Sequence, residues 1–235
     1  EFYNRKTEAA HSWNDYPDIL GGRDLEANGT WMGMTKKGRI SFVTNYRDPA
    51  NINPNAPSRG QLVSDYLENS VDPETYMKGI EKRAADYNGF NLVVGNADSL
   101  WYLSNYKEGI QKISSGFYGL SNHLLETPWP KVKLGKQLLE PVLNQSHIKP
   151  NDLLDILQDS TRAADDKLPS TGIGLERERA LSSMFIKTDG YGTRCSTVVL
   201  VDYDNQVTFS ERVYNLTTFE FTTQNFEFKI AKLIS

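Results

Sequence analysis

Ser196-Thr197-Val198-Val199-Leu200-Val201 places the strongest constraint on the architecture of this chain. Its last four residues form the longest apolar run, and a run of this length is typical of a β-strand. Successive side chains of a strand point to opposite faces of the sheet, so a strand that is apolar on both faces must be covered on both sides. The stretch therefore predicts two β-sheets packed face to face, with a layer of helices outside each sheet.

Other strands are predicted on either side of this stretch. Residues 30–35 and 39–45 form a strand pair around the turn Lys36-Lys37-Gly38, and residues 90–96 pair with 100–105 across a polar turn. Because such hairpins dominate, we expect mostly antiparallel sheets. The remaining predicted strands are 117–122, 182–187, 193–202, 206–214 and 219–228, whereas residues 1–30, 46–59 and 160–179 are expected to be irregular.

Helices are predicted between these strands. Asp72-Pro73-Glu74 is a start signal, with a capping aspartate followed by proline at the first helical position. Asn151 is expected to cap another helix. The predicted helices are 60–69, 73–86, 130–143 and 151–158. Together these elements predict an α+β fold, a four-layer αββα sandwich of mostly antiparallel sheets.

Composition limits the classes of function. The chain has 235 residues and a formal net charge of −4, which favours one large domain over residues 1–235 and argues against nucleic-acid binding. No apolar run approaches the ~20 residues of a membrane helix, so no membrane span is expected. A single cysteine precludes an intrachain disulfide and favours a reducing compartment, from which we expect a cytoplasmic protein. The pattern does not indicate an oligomeric state.

Metal and cofactor signatures are missing from the sequence. The three histidines, His11, His123 and His147, are scattered, and no Cys-x-x-Cys or glycine-rich phosphate loop occurs. We therefore expect no metal site and no cofactor.

Charged and reactive side chains stand out near the end of the chain. Cys195 shares a strand face with Thr197 and Val199, which is typical of an inert core thiol. Glu211 lies on an apolar strand face, where a carboxylate needs a partner, and Arg194 could reach it. Such a pair is either structural or part of a binding site.

Two earlier segments carry polar candidates. Asn122 follows Gly119-Leu120-Ser121 at a predicted strand end, where its amide either donates into a cleft as an oxyanion-hole group or caps the next turn. Arg23 and Asp24 follow a glycine pair and form either a binding group or a solvated turn. Both alternatives remain open for each segment.

Eight strings in the chain together resemble the NRDE family, also called the transport-and-Golgi-organisation family. They occur in the family's order and span nearly the whole chain, which makes the resemblance strong. The strings are Glu1-Phe2-Tyr3-Asn4-Arg5, Gly22-Arg23-Asp24-Leu25-Glu26-Ala27, Gly29-Thr30-Trp31-Met32-Gly33, Thr44-Asn45-Tyr46-Arg47-Asp48-Pro49, Ser58-Arg59-Gly60, Tyr87-Asn88-Gly89-Phe90-Asn91-Leu92, Gly119-Leu120-Ser121-Asn122 and Tyr191-Gly192-Thr193-Arg194.

The chain departs from the family pattern at two places. Asn28 stands where the family usually has glycine, and asparagine is the next best residue for a left-handed turn. Of the Asn-Arg-Asp-Glu string that names the family, Glu1 alone is present. Family members begin with Met-Cys upstream of that string, so we expect the domain over residues 1–235 to lack its N-terminal strand and that cysteine.

The resemblance implies the fold of N-terminal-nucleophile (Ntn) hydrolases, akin to penicillin acylase and bile-salt hydrolase. In that group an N-terminal cysteine attacks a carbon–nitrogen amide. By position, Asn122 resembles the oxyanion-hole asparagine, Asn45 a second polar group near the cleft and Arg194 the late-strand arginine. The implied function is cysteine-dependent hydrolysis of a small acyl amide. The alternative, from relatives linked to secretory transport and Golgi organisation, is non-catalytic binding and trafficking of an acyl-lipid, acyl-CoA or haem.

Overall fold

A computed structural model describes residues 1–230 of the chain. Within these residues, twelve strands form two large sheets, of seven and three strands, and one two-stranded ribbon, and every strand pair is antiparallel. The strands are β1 Thr7–Ser12, β2 Ile19–Asp24, β3 Met32–Thr35, β4 Ile40–Asn45, β5 Phe90–Gly95, β6 Leu100–Ser104, β7 Lys107–Ile113, β8 Lys187–Thr188, β9 Tyr191–Gly192, β10 Cys195–Val201, β11 Gln206–Tyr214 and β12 Phe221–Lys229.

Five α-helices occur in the same part of the chain, with three short 3₁₀ turns at residues 49–51, 84–86 and 165–167. The helices are α1 Arg59–Glu68, α2 Pro73–Glu81, α3 Pro130–Leu143, α4 Pro150–Leu157 and α5 Leu175–Ala180.

Sheet order follows chain order. Strands β1 to β7 form a seven-stranded meander, and β10, β11 and β12 form a three-stranded sheet. The pair β8 and β9 forms a separate small ribbon. Since the connections are mostly hairpins, the predicted antiparallel character is confirmed.

Three apolar clusters define four layers. The first joins α1 and α2 to the seven-stranded sheet, through side chains such as Tyr66, Met77 and Leu92. The second lies between the two large sheets, where Leu20 and Phe209 meet. The third joins the three-stranded sheet to α3 and α4. The order is helix, sheet, sheet, helix, and the predicted four-layer α+β sandwich is confirmed.

Strand β10 occupies the position predicted from its two apolar faces. Val198 and Leu200 pack in the cluster with α4, whereas Val199 packs against the inter-sheet cluster that contains Phe209. The strand thus contributes to two layers of the core, and its alternation places Cys195 on the same face as Val199.

Several local predictions are also confirmed. Gly38 ends the turn between β3 and β4 with a φ of +87°, a left-handed conformation that suits glycine. Asp72 caps α2 by accepting a hydrogen bond from the Thr75 amide at 3.0 Å. Asn28 adopts a φ of +56°, the turn conformation expected at the position where the family has glycine.

The N-terminal thirty residues contradict the prediction of an irregular segment, because they contain β1 and β2. Arg23 and Asp24, for which a solvated turn was one interpretation, lie inside β2 together with the glycines Gly21 and Gly22 that precede them. The ring of Trp31 fills the space above Gly22, so that a Cβ there would come within 2.3 Å of it. The glycine therefore serves close packing inside a strand.

Other element predictions were wrong for related reasons. Residues 117–122 form no strand, and their carbonyls instead accept hydrogen bonds from the loop after β4 and from the side chain of Thr44. The region 182–187 is irregular up to Lys187, and β7 was missed because this edge strand is mostly polar. Helix α4 begins at Pro150 without a side-chain cap, so Asn151 is not its cap. Helix α5 lies within the polar segment that was expected to be irregular.

Candidate functional site

A cavity of about 590 Å³ lies between the two large sheets. Strands β1, β10 and β11 contribute its walls, together with the segment that precedes β10. Much of the lining is apolar, and this is the usual character of small-molecule sites. The apolar lining includes Trp31, Met32, Leu157, Met184, Ile186 and Val213.

The polar residues predicted from sequence divide into two groups. Asn122, Arg194 and Glu211 line the cavity, although Asn122 is distant in sequence from the other two. The other three, Asn45, Arg23 and Asp24, are not among its lining residues.

Glu211 is buried in the wall between the sheets and is 1% exposed. One carboxylate oxygen accepts a hydrogen bond from the Ala10 amide of β1 at 2.6 Å, and the other accepts from the Thr197 hydroxyl at 3.2 Å. Burial raises the pKa of Glu211, and these hydrogen bonds oppose the shift. The carboxylate therefore links the two sheets at the cavity.

The sequence allowed an ion pair between Arg194 and Glu211, and that interpretation is wrong. Among the described residues Glu211 makes no salt bridge. One terminal nitrogen of Arg194 instead donates to the backbone carbonyls of Phe2, Tyr3 and Arg5, at 2.9, 3.1 and 2.7 Å. Arg194 therefore attaches the segment before β1 to the cavity rim.

Asp24 holds the same segment from the other side. Its carboxylate pairs with the Arg5 guanidinium in a two-pronged contact with distances of 2.6 and 3.1 Å. A bidentate pair of this kind fixes orientation as well as position. Arg23 points away, pairs with Asp15 at 3.1 Å and lies over the ring of Trp13.

Cys195 lines the cavity, but its thiol is poorly suited to act as a nucleophile. Burial raises the pKa of the thiol, and the nearby Glu211 carboxylate raises it further. A reactive cysteine needs the opposite environment, because the thiolate is the nucleophilic form.

Asn122 is held by contacts on both sides of its carboxamide. Nδ2 donates to the backbone carbonyl of Asn45 at 3.1 Å, and the Lys131 ammonium lies 3.5 Å from Oδ1. The Asn45 side chain is exposed, so this residue contributes to the site through its carbonyl. Because Nδ2 has two hydrogens, one remains after the bond to Asn45.

A buried charge cluster behind Asn122 was not found from the sequence. Arg47 and Glu178 form an ion pair at 2.9 Å, and both side chains are largely buried. Burial and, to a smaller extent, the positive charge of Arg47 lower the pKa of Lys131 to about 8, while Glu178 opposes the shift. These residues are far apart in sequence, and no local sequence pattern predicts such a cluster.

Metal-binding clusters and membrane-spanning helices can be assessed over residues 1–230, the part of the chain that the structure describes. Among them, no group of three or more His, Cys, Asp or Glu side chains is arranged to hold a metal ion. In the same range, no helix combines the length and apolarity needed to cross a bilayer.

The fold and the cavity define an α+β sandwich protein with a small-molecule-sized cleft between its two sheets. A model of the family described as "Transport and Golgi organisation 2" matches residues 1–216, and the chain belongs to this family.

Relatives from several animals support the assignment. The chain is 35% identical to "Transport and Golgi organization 2 homolog" of Mus musculus, over 96% of this chain and 90% of that protein. It is 37% identical to the Bos taurus homolog, over 96% and 89% of the two chains. The Drosophila melanogaster protein "Transport and Golgi organization protein 2" is 29% identical over 90% of this chain and 82% of its own length.

Proposed function

We propose that the inter-sheet cavity binds a small molecule with an apolar acyl chain and an amide group, as in an Ntn-hydrolase-like protein. The observation that carries the proposal is the position of Asn122, which lines a largely apolar cavity and has a side-chain amide that can donate a hydrogen bond. A donor in such a setting stabilises a carbonyl oxygen and, more strongly, the oxyanion formed when that carbonyl is attacked.

The dimensions of the cavity support a ligand of modest size. Its volume of about 590 Å³ falls in the range of sites that enclose small organic molecules. The apolar side chains would contact an acyl chain, while Asn122 would contact the carbonyl. The roles given to Arg194 and Asp24 are indirect, since both hold the segment that contains Glu1 at the rim.

Hydrolysis in this site needs a nucleophile, and the proposal assigns it to a cysteine in residues that precede Glu1. The backbone nitrogen of Glu1 hydrogen-bonds Gly192 at 3.0 Å beside the cavity, so preceding residues would begin at the site. The thiolate would attack the amide carbon, and the amine would leave with a proton. Water would then cleave the thioester and release the carboxylic acid and the thiol.

Binding without catalysis is the second candidate, with an acyl-lipid, acyl-CoA or haem as ligand. The environment of Cys195 favours it, because the thiol beside Glu211 is poorly ionised. Hydrolysis therefore depends on the proposed upstream cysteine, whereas binding depends on the cavity alone.

Intact-protein mass spectrometry separates the two candidates. A protein that carries the proposed upstream cysteine is treated with an acyloxymethyl ketone that carries a decanoyl chain, which alkylates an activated thiol. Hydrolysis predicts one stoichiometric adduct on the upstream cysteine and none on Cys195. An adduct that persists after the upstream cysteine is changed to Ala would reject the proposed nucleophile.

Binding is measured with decanamide through the fluorescence of Trp31, which lines the cavity. We expect saturable binding, loss of the signal in Trp31→Phe, and affinity about tenfold weaker in Asn122→Ala because one carbonyl hydrogen bond is lost. Trp101→Phe is the matched control, since Trp101 packs against the apolar cluster between the seven-stranded sheet and helices α1 and α2. Equal binding by Asn122→Ala and the unchanged protein would contradict the placement of the carbonyl.

The names of the relatives support a cellular role in transport and Golgi organisation. Such a role predicts that the chain restores secretory transport in animal cells that lack their own family member. If Asn122→Ala restores transport as well as the unchanged protein, the cavity is not required for that role.

A further inference from the structure

The orientation of the Asn122 carboxamide is set by two neighbours that each have a single hydrogen-bonding role. A lysine ammonium can donate but cannot accept, and a backbone carbonyl can accept but cannot donate. Lys131 faces Oδ1 at 3.5 Å, while the Asn45 carbonyl accepts from Nδ2 at 3.1 Å. If the carboxamide were rotated by 180°, Nδ2 would face the Lys131 ammonium and Oδ1 would face the Asn45 carbonyl. Neither contact could form a hydrogen bond, so the two neighbours select the observed orientation.

Lys131 is itself held in place. It lies in the first turn of α3, directly after Pro130, and its ammonium donates to the backbone carbonyl of Leu181 at 3.1 Å. The contact to Leu181 connects α3 to the end of α5. The lysine head therefore lies between two acceptors that come from different segments of the chain.

This position is electrostatically unfavourable for a cation. The N-terminus of a helix carries a partial positive charge, and the first turn of α3 contains no acidic residue to offset it. Arg47 adds a second positive charge nearby, and Glu178, which pairs with Arg47, is the opposing negative charge. Unfavourable placement of a charged group beside a cavity is typical of functional sites.

We propose that Lys131 is a positioning residue that fixes the Asn122 carboxamide with its remaining N–H available to a carbonyl in the cavity. The proposal deepens the proposed function and rests on it for the identity of the ligand. Donation by the ammonium to Oδ1 also polarises the amide, which strengthens the opposite N–H as a donor. Lys131 is not among the residues that line the cavity, so it acts through Asn122.

Nuclear magnetic resonance of the side-chain amide of Asn122 tests the contact without any ligand. Its two N–H signals are assigned with Asn122→Asp and followed over about pH 6 to 10, the range in which a perturbed lysine titrates. Because burial lowers the pKa of Lys131 to about 8, we expect the amide shifts to change with a midpoint near that value. The charged neighbours Arg47 and Glu178 are left unchanged in every variant.

Three variants give the test its controls. Lys131→Met removes the donor and should abolish the titration. Lys131→Arg keeps a cation over the whole pH range, so the Asn122 amide signals should keep the chemical shifts that they have at low pH. Lys133→Met, on the exposed side of α3, should behave as the unchanged protein. Backbone amide spectra show whether each variant is folded. If Lys131→Met does not fold, the titration of Lys131→Arg is compared with that of the natural protein. An unchanged titration in Lys131→Met, or none in the natural protein, overturns the proposal.

Decanamide binding provides the second readout. We expect about tenfold weaker binding in Lys131→Met and partial recovery in Lys131→Arg, since the guanidinium can still donate to Oδ1. If the natural protein does not bind decanamide, the proposed function fails while the amide titration still decides the role of Lys131. Equal decanamide affinity in the natural protein and Lys131→Met would reject the effect of Lys131 on the ligand.

Discussion

Glu211 shows how a single buried carboxylate depends on contacts from the whole fold. Its apolar strand face was predicted, because Val207, Phe209 and Val213 share that face. Its partners were not predicted, since one is the Ala10 amide in a segment that was expected to be irregular. The residue type and its spacing thus indicated a buried acid but not what satisfies it.

The raised pKa of Glu211 has a definite effect on stability. The folded state binds a proton more tightly than the unfolded chain, so the free energy of unfolding falls as pH rises from the ordinary glutamate value of 4.5 through the raised folded value. Above the folded pKa the loss is complete. This loss of free energy of unfolding arises because burial disfavours the charged form of Glu211.

Glu211→Gln should therefore flatten this part of the pH profile. The amide oxygen can still accept from Ala10, while the charge is removed. Urea unfolding at a series of pH values measures the effect. Glu108→Gln, in the exposed part of β7, is the control and should leave the slope unchanged. Parallel profiles for the natural protein and Glu211→Gln would contradict the assignment.

Secondary-structure elements were predictable where local chemistry is sufficient. Helix α3 was predicted with its observed bounds, and β11 likewise, because proline starts and strand alternation are local signals. The prediction failed for β2, where Gly22 packs against Trp31, and for the polar edge strand β7. Those two strands are stabilised by pairing with the adjacent strands of the sheet, and the propensities of their own residues do not report such pairing.

Helix α1 permits a direct test of a local start signal. The Ser58 hydroxyl accepts a hydrogen bond from the Gly60 amide at 3.3 Å and so caps the helix. Ser58→Ala should lower the free energy of unfolding by about 1 kcal/mol, because a helix-end amide loses its partner. Ser58→Asp keeps an acceptor at the same place and should stay close to the natural protein. Thermal or urea unfolding measures both, and equal losses would argue against capping.

At the scale of the whole molecule, the two large sheets meet through few side chains. Phe209 is 1% exposed and packs with Ala10 and Leu20 from the opposite sheet. Its ring also meets Phe226 edge to face, with 6.2 Å between the ring centres. This small cluster holds the middle layers together beside the cavity.

Phe209→Ala should lower the free energy of unfolding by about 3–5 kcal/mol, because it removes buried contacts and leaves a void between the sheets. Tyr203→Ala, at a fully exposed turn, should change it by less than about 0.5 kcal/mol. Chemical denaturation of the two variants provides the comparison. A small effect of Phe209→Ala would mean that the inter-sheet contact contributes little to stability.

The layered architecture could be inferred from the order of residues alone, because alternation in β10 requires a cover on each face and periodicity is a local property of the chain. Asn122, Arg194 and Glu211 were also identified as candidate site residues from the sequence alone. Their meeting at one cavity, the clamp of Arg194 on Phe2, Tyr3 and Arg5, and the contact between Lys131 and Asn122 emerged from folding. Such contacts join distant segments, and their geometry depends on how the layers pack rather than on any local preference.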